Sequence, residues 1–338
     1  MWMTRMWVWV WMWVSFHSSQ AQQVSPTHAR TDRFLSMFSV VRFKNNECQA
    51  VSGDTGICYH SASCSSGGGE PSGECAQGFG SCCVTKLGCG GSTGNNGTYL
   101  ESPNYPSDFN AATTCPYILH LTSDTCQVRL DVVEVVLALP TTQGNCVDDY
   151  LTFSQDIKWG RVCGVTTDSN FYLDVDPGVS TSLTLTFTTS AVSSGRRWKV
   201  KLSMITCDQL SLAPSGCGQY FTTTMGTIKG WNHDGIYLSN QNYAICIRKD
   251  VDSCSTTYLD NRDVIFRPFC DDTFEWPYNV NGLPATSFTC ISTPAFIPSA
   301  PLTVSLQGPN YLYLVTTDST NDHTDSTNIN YSFTQNPC

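Results

Sequence analysis

Charge is scarce in this chain, and basic charge scarcer still: 18 Lys and Arg stand against 28 Asp and Glu. Nucleic acid and anionic membrane surfaces reward clustered Lys and Arg, so neither is expected as a partner. The acidic residues are mostly Asp scattered through turn-like contexts, the pattern of solvated loops. No stretch sustains a helical hydrophobic period, and beyond the N-terminus no apolar run approaches the roughly 20 residues of a membrane-spanning helix. A membrane anchor is therefore not expected. Catalytic signatures are missing too. Gly53-Asp54-Thr55-Gly56 lacks the serine of a Gly-Asp-Ser-Gly-Gly nucleophile, there is no Ala-x-His-Cys to supply its base, and no H-E-x-x-H zinc helix. His28, His60, His120, His233 and His323 are isolated in sequence, each read as a surface or packed residue. Nothing promotes a particular carboxylate pair for glycosidic chemistry. No catalytic residue, cofactor or enzymatic activity is expected, and the lack of low-complexity repeats argues against a structural matrix role.

Cysteine is what the chain has in quantity. Its 18 cysteines form three groups of six. From Cys89 the gaps are 26, 11, 20, 17 and 44, through Cys115, Cys126, Cys146 and Cys163 to Cys207. From Cys217 they are 29, 8, 16, 20 and 48, through Cys246, Cys254, Cys270 and Cys290 to Cys338. Loop lengths drift between duplicated modules while half-cystines keep their order, so one framework is used twice. The remaining six, Cys48, Cys58, Cys64, Cys75, Cys82 and Cys83, close a Gly- and Ser-rich unit too small to be stable without cross-links. Their spacing departs from the close pairs of a zinc module, and only His60 lies among them, so three disulfides are expected there with the pairing open. Nine disulfides and no free thiol are expected in all.

The N-terminus sets the compartment. Arg5, the apolar run from Met6 to Phe16 and the small residues around Ser19-Gln20-Ala21 read as a secretory signal peptide over residues 1–21. A leader over residues 22–47 follows, and its apolar part, Phe34 to Phe43, could dock on a neighbouring module. The chain is expected to be secreted and extracellular.

Period-two alternation marks the two large blocks as β. Val128, Leu130 and Val132 alternate with Arg129 and Asp131; Leu183, Leu185 and Phe187 with Thr184 and Thr186; Trp198, Val200, Leu202 and Met204 with Lys199, Lys201 and Ser203. The second block repeats this at Val304 and Leu306, at Tyr311 to Val315, and at Ile329, Tyr331 and Phe333. One apolar face per strand means half-buried antiparallel strands, and short strands between turn clusters imply an all-β chain of two-sheet sandwiches.

Within the first block, Cys89-Gly90-Gly91, the stretch Gly97 to Pro106 with its Ser102-Pro103-Asn104-Tyr105-Pro106 turn, Cys115, the Cys146-x-x-Asp149-Tyr150 step and Cys163-Gly164 resemble a CUB domain over residues 89–207. The resemblance implies a jelly-roll-like β-sandwich with Cys89 bonded to Cys115 and Cys146 to Cys163. Cys126 and Cys207 are extra to the usual four and are paired with each other. Residues 217–338 are similar to a divergent CUB-like domain, in which Gly230 to Gly235 takes the place of the missing turn. Analogy then pairs Cys217 with Cys246, Cys254 with Cys338, and Cys270 with Cys290. Gly56-Ile57-Cys58 and Gly78 to Val84 resemble a clip-like module over residues 48–83, and the whole arrangement resembles secreted CUB-domain proteins of arthropods.

Many CUB domains bind calcium through a Glu, the Asp of the Cys-x-x-Asp step and a later Asp. Here Asp149 is kept, while the other two places fall near Ala138 and at Ser190-Ala191, so only a vestigial position is implied and no metal is expected in the first block. Glu134 is expected on the wrong strand face to substitute. In the second block Asp271, Asp272, Asp318, Asp322 and Asp325 are read as solvated loops. Asn96-Gly97-Thr98 and Asn330-Tyr331-Ser332 fit glycosylation acceptors, the first in an accessible turn, the second with Asn330 on the outer face of its strand. The resemblance implies a non-catalytic interaction protein binding an extracellular protein or glycan. Its alternative is a non-catalytic cofactor or regulator of an extracellular protease cascade, because clip-like and CUB modules often accompany such proteases.

Overall fold

The computed structural model describes residues 42–43, 45–154, 159–192, 194–261, 273–275, 288–289, 301–305, 310–317 and 328–338. The chain divides into two units, Met1–Arg42 and Phe43–Cys338, and every described element belongs to the second. The expected signal peptide, most of the leader, His28, His323, Leu306, Cys270, Cys290 and the five second-block aspartates lie outside the described residues.

The six-cysteine module comprises β1 (Glu47–Gln49), β2 (Thr55–Tyr59), a short helix α1 (Ser61–Ser66), β3 (Gly69–Cys75) and β4 (Gly80–Leu87). Disulfides join Cys48 to Cys82, Cys58 to Cys75 and Cys64 to Cys83. Successive side chains of a strand point to opposite faces, which is how the adjacent Cys82 and Cys83 reach different partners, one in β1 and one in α1. Gly80 starts β4 because a Cβ there would lie 2.8 Å from the Cys58 sulfur and 2.7 Å from the Phe43 ring. Phe43, the last apolar residue of the leader, thus packs on this module.

The first sandwich is built from β5 (Ser92–Thr93), β6 (Thr98–Glu101), β7 (Thr113–His120), β8 (Thr125–Val136), β9 (Tyr150–Phe153), β10 (Val165–Asp174), β11 (Ser182–Thr189) and β12 (Arg197–Thr206). One sheet has the order β5-β7-β11-β9. The other runs β1-β2-β4-β6-β12-β8-β10, because β4 leaves the small module and pairs in parallel with β6, Lys86 opposite Tyr99 and Leu87 opposite Leu100. The six-cysteine module and the sandwich therefore share one sheet. Between the sheets lie the apolar residues of the alternating strands. Trp198 stacks on Phe187 at 4.3 Å and donates its indole N–H to the Tyr117 hydroxyl at 2.9 Å, which donates to the Glu101 carbonyl at 2.7 Å. Burial pushes the Tyr117 hydroxyl pKa well above its ordinary range.

One expectation fails here. Alternation places Lys199 and Lys201 toward water, yet each is only 8% exposed. The small module lies across their face of the sheet, and Lys199 Nζ sits 2.7 Å from Asp54 and 3.2 Å from Glu101, with Lys201 3.5 Å from Glu47.

The second sandwich contains β13 (Cys217–Phe221), β14 (Met225–Lys229), β15 (Asn242–Ile247), β16 (Ser253–Asp260), β17 (Thr273–Glu275), β18 (Phe288–Thr289), β19 (Leu302–Ser305), β20 (Asn310–Val315) and β21 (Asn330–Pro337). Its sheets have the orders β13-β15-β20-β17-β18 and β14-β21-β16-β19. Ile228, Ile245, Tyr258, Val304, Leu312, Leu314, Tyr331 and Phe333 fill the space between them.

The two sandwiches are joined by an aromatic cluster. Trp231 stacks on Phe171 at 4.0 Å, and Trp159 meets Phe171, Trp231 and Tyr243 edge-on at 5.4, 6.1 and 5.7 Å. Asn232 accepts from the Val165 amide at 3.1 Å and donates its own amide to Thr166 Oγ1 at 2.9 Å. It adopts φ 57°, a left-handed conformation that Asn tolerates better than most residues. The segment Gly230 to Gly235 is thus the weld between the domains.

Candidate functional site

Disulfides in the first sandwich join Cys89 to Cys115, Cys126 to Cys207 and Cys146 to Cys163; in the second they join Cys217 to Cys246 and Cys254 to Cys338. The bond at Cys146 anchors the loop that carries Asp149 at one end of the first sandwich.

Asp149 is 1% exposed there. Its Oδ2 accepts from the Ala138 amide at 2.9 Å, and its Oδ1 from the Ser190 amide at 2.8 Å. The two places where the resemblance would put further carboxylates do converge on Asp149, but as backbone donors. The opposing charge is Arg196, fully buried, whose Nε donates to Asp149 Oδ2 at 2.8 Å. Its remaining guanidinium nitrogens reach the carbonyls of Ala111, at 3.3 Å, and of Ser190. One protein cation thus ties three loops together, β6–β7, β8–β9 and β11–β12, where a bound ion would need several carboxylates.

Sequence reading missed Arg196. The available signal was an Arg196-Arg197 pair directly before the core strand residue Trp198: strand alternation sends one of two adjacent arginines inward, where it needs an acid. Arg197 takes the outer course, pairing with Glu134 at 2.8 Å and Asp108 at 3.0 Å. Glu134 is accordingly bound to Arg197, away from Asp149.

Above this clamp the loop tips are apolar. Leu139 is 69% exposed, Val147 59% and Val192 82%, and each lies within two residues of Asp149 or of a backbone amide that Asp149 accepts from. Ala191, next to Val192, is exposed, as are Ala111, whose carbonyl accepts from Arg196, and its neighbour Ala112. Exposed aliphatic residues gathered on a rigid support are the physical mark of a contact surface.

A concavity lies between the six-cysteine module and the outer face of β8 and β12. It has a volume of about 930 Å³, with Tyr59 of β2, Tyr99, Arg129, Asp131, Lys201 and Ser203 among its lining residues. A smaller one of about 190 Å³ shares Ile57, Tyr59, Asn96 and Gly97 with it.

The remaining expected positions separate. Asn96 is exposed, but its carboxamide both donates to the Met204 carbonyl, at 3.1 Å, and accepts from the Met204 amide, at 2.8 Å, continuing the β6–β12 ladder with a side chain. Asn330 alternates with the core residues Ile329, Tyr331 and Phe333 and so keeps the outer face of its strand, yet it is only 9% exposed, with Asn261 against it donating to its Oδ1 at 3.0 Å. His60 and His120 are exposed, whereas His233 is buried at the domain weld, 3.3 Å from Asp234.

The CUB domain family profile matches residues 89–202, and the animal CUB domain profile matches residues 214–293. The chain is therefore a tandem CUB-domain protein. CUB domains mediate protein interactions and are typically non-catalytic. Similar solved structures include the CUB1-EGF-CUB2 domains of rat MASP-1, at 13% identity over 74% of this chain and 99% of that one, with a TM-score of 0.27. The corresponding human MASP-1/3 fragment is 14% identical over 72% and 100%, with a TM-score of 0.28. The full extracellular region of zebrafish Gpr126/Adgrg6 is 9% identical over 72% of this chain and 36% of that chain, with a TM-score of 0.29. No curated protein matches the chain. Among the described residues no helix is long and apolar enough to cross a membrane.

Proposed function

We propose that this chain is a secreted, non-catalytic interaction protein whose partner, an extracellular protein, docks on the loop end of the first CUB domain. The observation that carries the reading is the set of exposed aliphatic tips, Leu139, Val147 and Val192, on loops held by the buried Asp149–Arg196 pair. Rigid support lowers the ordering cost of association, so exposed apolar area converts more fully into affinity. The signal-like N-terminus and the disulfide content support an oxidising, extracellular setting. Regulation of an extracellular protease cascade would use the same surface, and the identity of the partner separates the two.

The test compares proteins captured from extracellular fluid by the wild type and by Leu139→Asp/Val192→Asp. A specific partner should be lost from the double variant. It should be retained by Val179→Asp, an exposed residue just before β11, the strand whose other end leads to Val192. Identical captured sets from all three would refute the loop end as the docking surface.

A further inference from the structure

We propose that the groove between the six-cysteine module and the first CUB sheet binds a neutral oligosaccharide. It shares no residue with the loop-end surface, so either proposal can fail without the other.

Size and rigidity come first. At about 930 Å³ the groove is in the upper range of small-ligand sites, room enough for several sugar rings. Its two walls cannot separate easily. The Lys199–Asp54 ion pair at 2.7 Å, the Thr55 amide donating to the Tyr99 hydroxyl at 3.0 Å, and the shared β4–β6 pairing hold the small module on the sheet. The cleft is therefore formed before any ligand arrives.

Charge then narrows the ligand. Arg129 faces Asp131 at 2.6 Å, Lys201 faces Glu47 at 3.5 Å, and Asp54 faces Lys199. Among the described lining residues every charge is paired within the protein, so a charged ligand gains no unpaired counter-ion there and would pay desolvation for nothing. A neutral polar ligand meets no such penalty.

Hydrogen-bonding pattern narrows it again. Arg129 and Asp131 are two residues apart on one face of β8, which sets a donor beside an acceptor. Adjacent hydroxyls of a sugar ring present the complementary arrangement, each hydroxyl both donating and accepting. Ser203 adds a further hydroxyl, and the Tyr59 ring, 37% exposed, offers an apolar surface for the C–H face of a ring. A peptide fits less well. Strand addition needs a free edge, and the floor of the groove is the face of β12 and β8, whose backbone groups are already paired to each other and to β6 and β10.

The experiment uses the full chain made in a host that adds no N-glycans, since Asn96 borders the groove. Neutral tetrasaccharides of glucose, mannose and N-acetylglucosamine, with a heparin tetrasaccharide as the charged comparison, are titrated calorimetrically. At least one neutral tetrasaccharide should bind saturably and the heparin tetrasaccharide should not. Tyr59→Ala, a partly exposed position, and Ser203→Trp, which fills the groove, should each weaken binding about tenfold or more. If Ser203→Trp does not fold, Tyr59→Ala decides. No binding by any neutral tetrasaccharide, binding by the heparin tetrasaccharide alone, or unchanged affinity in the folded variants would each overturn the proposal.

Discussion

The two CUB domains solve the same packing problem with different polar chemistry. The first buries ions: Asp149 with Arg196 at its loop end, and Lys199 and Lys201 under the small module. The second buries neutral groups. Tyr258 donates to Asn310 at 2.7 Å, Asn310 donates to Thr256 at 3.0 Å, and Gln335 donates to the Arg248 carbonyl at 2.9 Å. An isolated buried charge costs several kcal/mol, while an unsatisfied neutral group costs about 1–3 kcal/mol. The first domain should therefore fail abruptly when one partner is removed, and the second by degrees. The difference also bears on function, because the ion pair of the first domain organises apolar loop tips, whereas in the second Asn310 links β20 to β16 and Gln335 ties β21 to the turn after β15.

The largest expected effects treat the domains alike and so calibrate the comparison. The Cys126–Cys207 and Cys254–Cys338 bonds close loops of 81 and 84 residues. Opening either by double Ser replacement should cost its own domain about 4–5 kcal/mol in the chain-entropy estimate, read as loss of domain-resolved hydrogen-exchange protection. The single change Cys338→Ser should secrete worse than the double, because it leaves Cys254 as a free thiol. A large inequality between the two domains would show that they are not equivalent frameworks.

Arg196→Ala should come next, destabilising the first domain by about 3–5 kcal/mol and leaving hydrogen exchange in β16 and β21 unchanged. Equal loss in both domains would mean that the weld, rather than the ion pair, governs the response. Trp231→Ala tests that weld, with a comparable cost of about 3–5 kcal/mol. It should also expose amides of β10 in one domain and β15 in the other, and loss confined to the second domain would break the idea of a shared core. Tyr258→Phe should cost about 1 kcal/mol in the second domain by chemical denaturation, since one neutral hydrogen bond is lost. A cost near that of Arg196→Ala would erase the proposed contrast.

The smallest effect is an expected zero. Millimolar calcium should leave the melting temperature of the first domain unchanged, because Arg196 already neutralises Asp149 and a site that binds only the native state would raise it. A rise abolished by Asp149→Asn would place a cation where the guanidinium stands.

Period-two alternation and cysteine order are local, and they determined what can be read without a fold. The alternating stretches around residues 128–132, 183–187 and 198–204 lie in β8, β11 and β12, and their apolar residues line the core. Two repeats of six cysteines announced two sandwiches. Alternation assigns a face to each residue, but it does not say what covers that face. Lys199 and Lys201 are on the predicted face and still buried, because β4 carries the small module across it. Asp149 was visible as a lone carboxylate, but its partner Arg196 lies 47 residues away, and Trp231 meets Phe171 across the domain boundary. Desolvation and counter-charge depend on the whole surrounding volume, so which polar residues are buried, and with whom, was decided only when distant strands came together.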